Sequence, residues 1–389
     1  MASGASAAKA KPAWGILPVV ILASFAAEAL SSALGIQPAL KIGVLETKSV
    51  EGLLEVLLPS SISSDLVTWF GFVLAGMTAS LVIITGLVVP KERSLKTSIV
   101  AGLVTAAMLL LAWAVSDEGI LTGIATGLIM FFSSLAARQS GPLGAMGSLA
   151  GTLYFLFAIL GVTEDLKGSG LQGAEVILEL SLVGTVVGVA GLVLLYYVWV
   201  LTGWKPIPER PTPEASPNQA PPPSFFARGP GLRYAIVRGL LLGVAMGFYQ
   251  VTGNHSIFWV MLAIWVVLQP VRSKTWEKAA KRGVGILAGC LLVAAIASVV
   301  SGATLIWIAI ALFLVGFAYY PVNYTIFAAS ISFLVVTLYG DASQAGIVHW
   351  GIQRVLDNAI GIAIALLSAY LILPGDDEAA RQPEEPATS

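Results

Sequence analysis

Long apolar segments, each close to the length that crosses a bilayer as a helix, recur along the chain between short polar stretches. The pattern predicts twelve such segments, six before residue 205 and six after residue 230. We therefore expect an all-α polytopic membrane protein with about twelve transmembrane helices. The predicted spans lie near residues 14–36, 66–90, 97–116, 119–136, 144–163, 176–203, 234–252, 255–271, 283–301, 303–318, 322–339 and 351–373.

The composition limits the classes of function. Hydrophobic residues make up 57% of the 389 positions and charged residues only 11%, against about 25% charged residues in an average globular chain. The lipid bilayer is therefore an expected partner. The net charge of −1 gives no basis for binding nucleic acid. A single cysteine, Cys290, lies in an apolar run and argues against a disulfide or a metal site, so no cofactor is expected.

Polar segments at both ends and in the middle of the chain divide it into five predicted regions. Residues 205–230, KPIPERPTPEASPNQAPPPSFFARGP, are too rich in proline for a helix and predict a flexible or polyproline-like linker. Within 37–65, the segment VEGLLEVLL predicts a short interfacial helix. The regions are a cytoplasmic tail (1–13), a first six-helix repeat (14–204), a cytoplasmic linker (205–230), a second six-helix repeat (231–374) and an acidic disordered tail (375–389).

The lysines and arginines predict the orientation. With a cytoplasmic N-terminus and twelve crossings, three basic residues face outside, Arg238 and Arg354 fall within spans, and the remaining 16 of 21 face the cytoplasm. Such an asymmetry favours a location in the cell membrane, inner or plasma, with both termini cytoplasmic. The cytoplasmic set is Lys9, Lys11, Lys91, Arg93, Lys96, Arg138, Lys205, Arg210, Arg228, Arg233, Arg272, Lys274, Lys278, Lys281, Arg282 and Arg381.

The two sets of spans resemble each other. Residues 86–116 and 266–301 both run from an apolar span through a proline and a basic loop to a glycine-containing span and a serine. The sixth spans align with Gly188 over Gly361, and we expect both glycines to serve helix packing. Six spans per copy predict a parallel repeat, in which sites lie between the copies near the membrane midplane.

The second half resembles the fusaric acid resistance and aromatic acid exporter family, called FUSC-like, which is related to plant aluminium-activated malate transporters. FWVMLAIWVVLQPVRSKTWEKAAKRGVGILAG (258–289) and RVLDNAIGIAIAL (354–366) carry the resemblance. The latter places the family's Arg-x-x-Asp-x-x-x-Gly pattern at Arg354, Asp357 and Gly361. The resemblance implies export of small, aromatic organic acids, driven by an ion gradient. A periplasmic adaptor protein and a second copy of the chain are candidate partners.

Arg354 and Asp357 are charged residues at the head of an apolar span, and two interpretations stand. Three residues apart on a helix, they share a face and can neutralise each other, which pins the last helix against a neighbour. Alternatively, Arg354 binds a substrate carboxylate and Asp357 releases it or carries a proton.

Three aromatic residues and one carboxylate complete the candidate site. Trp259, Trp265 and Tyr324 are candidates to stack on a planar aromatic substrate. Glu28, deep in the first span, either couples transport to protons or pairs with an arginine of another helix.

The leading hypothesis is a secondary transporter that exports organic acids. A passive organic-anion channel and a non-transporting membrane scaffold that acts through residues 205–230 are the alternatives. The chain has no nucleotide-binding lysine motif, no nucleophile triad and no metal-ligand spacing, so we do not expect an enzyme.

Overall fold

The computed structural model describes residues 14–33, 75, 77–88, 91–116, 118–139, 142–159, 171–203, 225–226, 229–320, 322–340 and 344–375. The interfacial helix predicted within 37–65, the N-terminal tail and nearly all of the linker and the C-terminal tail lie outside these residues. Every regular element in the described part is helical, and its twelve helices are α1 (Ile16–Ala33), α2 (Met77–Val88), α3 (Lys91–Val115), α4 (Gly119–Ala136), α5 (Pro142–Ile159), α6 (Leu171–Thr202), α7 (Pro230–Thr252), α8 (His255–Val267), α9 (Arg272–Ala297), α10 (Ala303–Tyr319), α11 (Tyr324–Tyr339) and α12 (Gln344–Ile372).

The chain is a multi-pass membrane protein. Six of these helices, α3, α4, α6, α7, α9 and α12, are long and apolar enough to cross a membrane. Five others, α2, α5, α8, α10 and α11, are apolar but shorter. The 13 residues of α8 extend over about 20 Å, less than the thickness of a bilayer core. That all twelve helices cross the membrane therefore remains a prediction.

The basic segments are helical, and here the predicted boundaries were wrong. Residues 91–96 and 272–282 were expected to be loops, but α3 begins at Lys91 and α9 at Arg272. Lysine, arginine and glutamate are good helix formers, so the helices extend beyond their apolar parts. The last helix likewise begins at Gln344, seven residues before its predicted span.

Helices pair in the same way in both halves. In the first half, α2 packs on α1, α3 and α6, while α3 packs on α5 and α6, and α4 on α5. In the second half, α8 packs on α7, α9 and α12, while α9 packs on α11 and α12, and α10 on α11. Each of these contacts has its counterpart six helices further along the chain. A duplicated six-helix unit would give this pattern, and the duplication itself remains a prediction.

The two halves meet most extensively along α4 and α7. Three glycines of α4, at 119, 123 and 127, face three of α7, at 239, 243 and 247. A methyl carbon added to Gly123 would lie 2.8 Å from the carbonyl oxygen of Gly243, and one added to Gly243 would lie 2.8 Å from Cα of Gly127. The main chains therefore touch, as in membrane helix pairs with small residues every fourth position. This glycine stripe was not among the sequence-based predictions, although the regular glycine spacing of both helices indicates it.

Two aligned glycines bring the second and sixth helices of each half together. A methyl carbon on Gly188 of α6 would lie 2.8 Å from the Ala79 carbonyl oxygen of α2. One on Gly361 of α12 would lie 2.6 Å from Cβ of Ala263 on α8. The close α8–α12 contact fixes the position of the charged residues that lie on α12 just before Gly361.

Candidate functional site

The inward face of α12 carries both packing residues and charged residues. Its buried positions recur at helical spacing and include Arg354, Asp357 and Asn358 between Gly351 and Gly361. Because this face lies against α8 and α9, the polar side chains are enclosed by the second half of the chain. Arg354 is only 3% exposed and Asp357 only 2%.

Arg354 contacts an aromatic ring. Its guanidinium carbon lies 3.7 Å from the ring centroid of Trp259 on α8. The Trp259 ring makes an edge contact with Tyr339 of α11. The buried Nε and Nη1 atoms of Arg354 have no hydrogen-bond partner. Buried charged donors are costly to leave without partners, so these atoms are available to a ligand.

Asp357 bonds to neutral groups. The amide Nε2 of Gln353 donates to Asp357 Oδ1 at 3.0 Å and to the hydroxyl of Ser256 at 2.8 Å. The second carboxylate oxygen, Oδ2, is buried without a partner. Arg354 and Asp357 therefore do not form the ion pair of the first interpretation, because their side chains leave the shared helix toward different neighbours. The direct ion pair of that interpretation is therefore not formed between these two residues, and the second interpretation stays a hypothesis.

A second buried arginine, Arg282, was predicted to lie in a cytoplasmic loop, but it shares a hydrogen-bond partner with Arg354. Arg282 of α9 is 5% exposed. Its Nε and Nη2 atoms donate to Asn358 Oδ1 at 3.1 and 2.9 Å, and its Nη1 atom donates to the Tyr324 hydroxyl at 2.9 Å. Asn358 in turn donates to the Arg354 carbonyl oxygen at 2.8 Å. Arg282 was not predicted to be buried because it lies in the basic stretch KAAKRGVG, and such a run of basic residues is typical of a solvated loop.

Two pockets open on either side of the arginines. The histidine-end pocket, of about 410 Å³, is lined by Gly253, Asn254, His255, Ser256, Trp259, His349, Trp350, Gln353 and Asp357. The lysine-end pocket, of about 480 Å³, is lined by Gln269, Pro270, Val271, Lys274, Glu277, Lys278, Lys281 and Tyr324. Either volume is in the range of small-molecule sites.

The two pockets differ in charge, and the protein is closed between them. Four of the eight residues of the lysine-end pocket are charged, three of them lysines. Lys278 places its ammonium nitrogen 3.7 Å from the Tyr324 ring centroid. Beside Trp259, Tyr339 and Arg354 only about 10 Å³ of space remains, roughly the minimum for one water molecule. Arg354 thus lies beyond the inner end of the histidine-end pocket, behind Trp259.

Residues 244–368 match the family model described as fusaric acid resistance protein-like. This match confirms the resemblance found in the sequence. No curated protein and no solved structure matches the chain. The fusaric acid resistance-like region runs from α7 into α12, so both arginines and both pockets fall within it. Such a family suggests a role in membrane transport and resistance.

The first half lacks the charges of the fusaric acid resistance-like region. In the alignment of the sixth helices, Ser181 and Gly184 replace Arg354 and Asp357. Counting from the helix starts at Lys91 and Arg272, the eleventh residue is Ala101 in α3 and Arg282 in α9. The helix geometry is nevertheless shared, because the Thr185 hydroxyl donates to the Ser181 carbonyl oxygen at 2.7 Å, as Asn358 does to Arg354.

The remaining predicted residues lie in three different places. Tyr324 bonds to Arg282 and lines the lysine-end pocket. Trp265 lies away from both arginines and stacks on Phe155 of the first half, with ring centroids 5.2 Å apart. Glu28 belongs to α1, and its side chain is outside the described part of the structure. The structure therefore brings Trp259 and Tyr324 to the arginines but not Trp265.

Proposed function

We propose that the second half of this protein transports small organic anions, with Arg354 as the group that binds the substrate carboxylate. One observation carries the proposal: a buried guanidinium lies between two pockets and has donor atoms without partners. A carboxylate can accept two parallel hydrogen bonds from a guanidinium, a geometry that lysine cannot reproduce.

The surroundings of Arg354 favour an aromatic acid. Trp259 and Tyr339 lie beside it, and Trp350 packs on Tyr339 with ring centroids 5.2 Å apart. A planar ring attached to the carboxylate would contact these aromatic faces. Trp259 must move before a substrate reaches Arg354 from the histidine-end pocket, because its ring covers the guanidinium.

The direction of transport follows from the orientation predicted by the basic residues. Lys274, Lys278 and Lys281 line one pocket, and basic residues favour the cytoplasmic side. The lysine-end pocket is then the entrance for an exported anion, and the histidine-end pocket is the exit. Two carboxylates, Asp357 and Glu28, are the candidates for coupling export to protons.

A passive anion channel is the second candidate function. Three lysines line the lysine-end pocket, and Arg282 and Arg354 lie buried beyond it. This arrangement favours a channel, because rings or rows of cationic side chains line anion pores. A channel would carry anions down their gradient and would not respond to an imposed pH gradient at constant voltage. The closed segment beside Trp259 favours the transporter.

The test is transport of labelled benzoate in sealed vesicles that contain the purified full-length chain, with and without a pH gradient. We expect gradient-driven transport by the wild type and about a tenfold loss in Arg354→Lys, because the paired hydrogen bonds are lost while the charge stays. Arg238→Lys is the matched control, since Arg238 donates to Tyr234 outside both pockets. Equal transport by Arg354→Lys and Arg238→Lys would refute the assignment of Arg354.

A further inference from the structure

Arg282 is hydrogen-bonded at all three nitrogens but is not neutralised. Its partners are the amide oxygen of Asn358 and the hydroxyl oxygen of Tyr324, and both are uncharged. It makes no ion pair with any carboxylate of the described residues. A buried arginine usually has an anionic partner, because the cost of desolvating the charge is large.

The partners of Arg282 occupy the positions that a carboxylate would take. Asn358 Oδ1 accepts from both Nε and Nη2, which is the edge of the guanidinium that binds carboxylates side-on. The Tyr324 hydroxyl covers the third nitrogen, Nη1. Two neutral oxygens thus satisfy the geometry of an anion site without supplying its charge.

Arg282 is also connected to the lysine-end pocket. Tyr324 lines this pocket with one part of its side chain and bonds to Arg282 with its hydroxyl. Lys278, one helical turn before Arg282 on α9, lies over the Tyr324 ring. An anion in the pocket therefore meets Lys278 first, and only Tyr324 separates it from Arg282.

We infer that Arg282 is a second binding station for organic carboxylates, reached from the lysine-end pocket and closed in this conformation by Asn358 and Tyr324. This inference rests on the proposed function, in which Arg354 is the first station. When an anion arrives, its carboxylate replaces the two neutral oxygens on Arg282. The carboxylate is the stronger partner because both members of the new hydrogen bonds are charged.

Asn358 links the two stations. Its oxygen holds Arg282 while its amide nitrogen donates to the main chain of Arg354. Displacement of the oxygen by a carboxylate frees Asn358 on the same helix turn that carries Arg354. Asn358 therefore connects the two arginines through hydrogen bonds.

The test uses two reporter cysteines, one in each pocket. Val271→Cys reports on the lysine-end pocket and His349→Cys on the histidine-end pocket, and both residues line their pockets outside the arginine contacts. The native Cys290 is buried and serves as the unreactive background. In lipid nanodiscs both pockets are open to a negatively charged methanethiosulfonate reagent, and benzoate is added as the competing anion.

Asn358→Asp is the decisive variant, because the new carboxylate occupies Arg282 permanently with nearly the same shape. We expect benzoate to slow labelling at both reporters in the wild type. In Asn358→Asp, the benzoate concentration that protects residue 271 should rise about tenfold or more, while protection of residue 349 stays. Tyr324→Phe removes one competing bond to Arg282 and should lower that concentration about threefold or more at residue 271.

Each other outcome contradicts the inference. Protection of residue 271 that is unchanged in Asn358→Asp means that Arg282 binds no carboxylate. Protection at residue 349 alone in the wild type also removes the second station but leaves the proposed function intact. Protection at neither residue, together with absent benzoate transport, means that the proposed function itself has failed. If Asn358→Asp does not fold, unchanged protection in Tyr324→Phe decides against the inference.

Discussion

The guanidinium of Arg354 lies over the indole of Trp259, with 3.7 Å between the guanidinium carbon and the ring centroid. Trp259 is 7% exposed, so the contact is shielded from solvent, and a desolvated cation–π contact contributes about 2 kcal/mol or more. The tryptophan both stabilises the buried charge and closes the way to it.

Replacement of Trp259 separates these two effects. Trp259→Leu should lower the free energy of unfolding by about 2 kcal/mol or more, since it removes the cation–π contact and leaves a cavity. Trp259→Phe keeps a ring and should lose less. Thermal unfolding in one detergent measures the difference. Trp307→Leu is the control, because Trp307 is 51% exposed on α10, and an equal loss there would contradict the assigned role of Trp259.

Loss of Arg354 should cost less stability than loss of Arg282. Arg354→Met removes a buried charge whose Nε and Nη1 lack partners, but it also removes the cation–π contact with Trp259, so the two effects offset each other and the unfolding temperature should change little while benzoate transport is lost. Arg282→Met leaves Asn358 and Tyr324 without their donor and should cost about 1.5–3 kcal/mol. A strong destabilisation by Arg354→Met, of about 3–5 kcal/mol, would instead mean that Arg354 compensates a buried negative charge and is structural.

The glycine contact between the halves should tolerate no methyl group. Gly243→Ala places a carbon 2.8 Å from the Gly127 Cα. Because this atom belongs to the main chain, it cannot move aside as a side chain would, and the variant should lower the unfolding temperature. Gly283→Ala is the matched control, since the nearest atom, Cδ1 of Ile362, is 3.9 Å away. Alanine there should be neutral or stabilise by about 0.5–1 kcal/mol. Equal effects in the two variants would mean that the contact is loose.

The two candidate coupling carboxylates can be distinguished by amide substitutions. If Asp357 carries the proton, Asp357→Asn should abolish the response of benzoate transport to a pH gradient while benzoate still binds. Glu28→Gln should then keep the response, because only one carboxylate per cycle is needed. The reverse result assigns coupling to Glu28, and a response that survives in both variants and in the double variant excludes proton coupling through either residue.

The orientation can be tested with single cysteines in intact cells. Ala215→Cys, in the predicted linker, and Val271→Cys should resist an impermeant thiol reagent added from outside, while His349→Cys should react. The native Cys290 is buried and should contribute no signal. Labelling of residue 215 or 271 from outside would reverse the predicted direction of export.

The sequence predicted those features that depend on a single helix. Apolar length predicted where the helices lie, and glycine alignment singled out positions 188 and 361, which do lie against neighbouring helices. The limits appear where partners come from distant segments. The spacing of Arg354 and Asp357 permits a pair, but Gln353, Ser256 and Trp259 determine where the two side chains point.

Arg282 is a second residue whose partners come from a distant segment and could not be predicted from its own. Within its own segment it follows Lys281 and resembles any other cytoplasmic cation. Its partner Asn358 is 76 positions away along the chain, so no local pattern distinguishes it. Trp265 was expected, with Trp259, to stack on a planar substrate, yet six positions along α8 separate the directions of the two side chains by more than a right angle. It faces Phe155 instead.

The glycine contact between α4 and α7 has a mechanical consequence. Main chain rests on main chain at Gly123, Gly127 and Gly243, so no side chain can change rotamer to absorb a displacement. Such a junction resists rocking of one half against the other, because packed interfaces do not deform continuously. If transport requires Arg354 to face one side of the membrane and then the other, as proposed, we expect that movement to take place among α8, α9, α11 and α12. On the proposed function, the first half, which has Ala101 and Ser181 at the positions aligned with Arg282 and Arg354, would be the fixed frame and the second half the moving part.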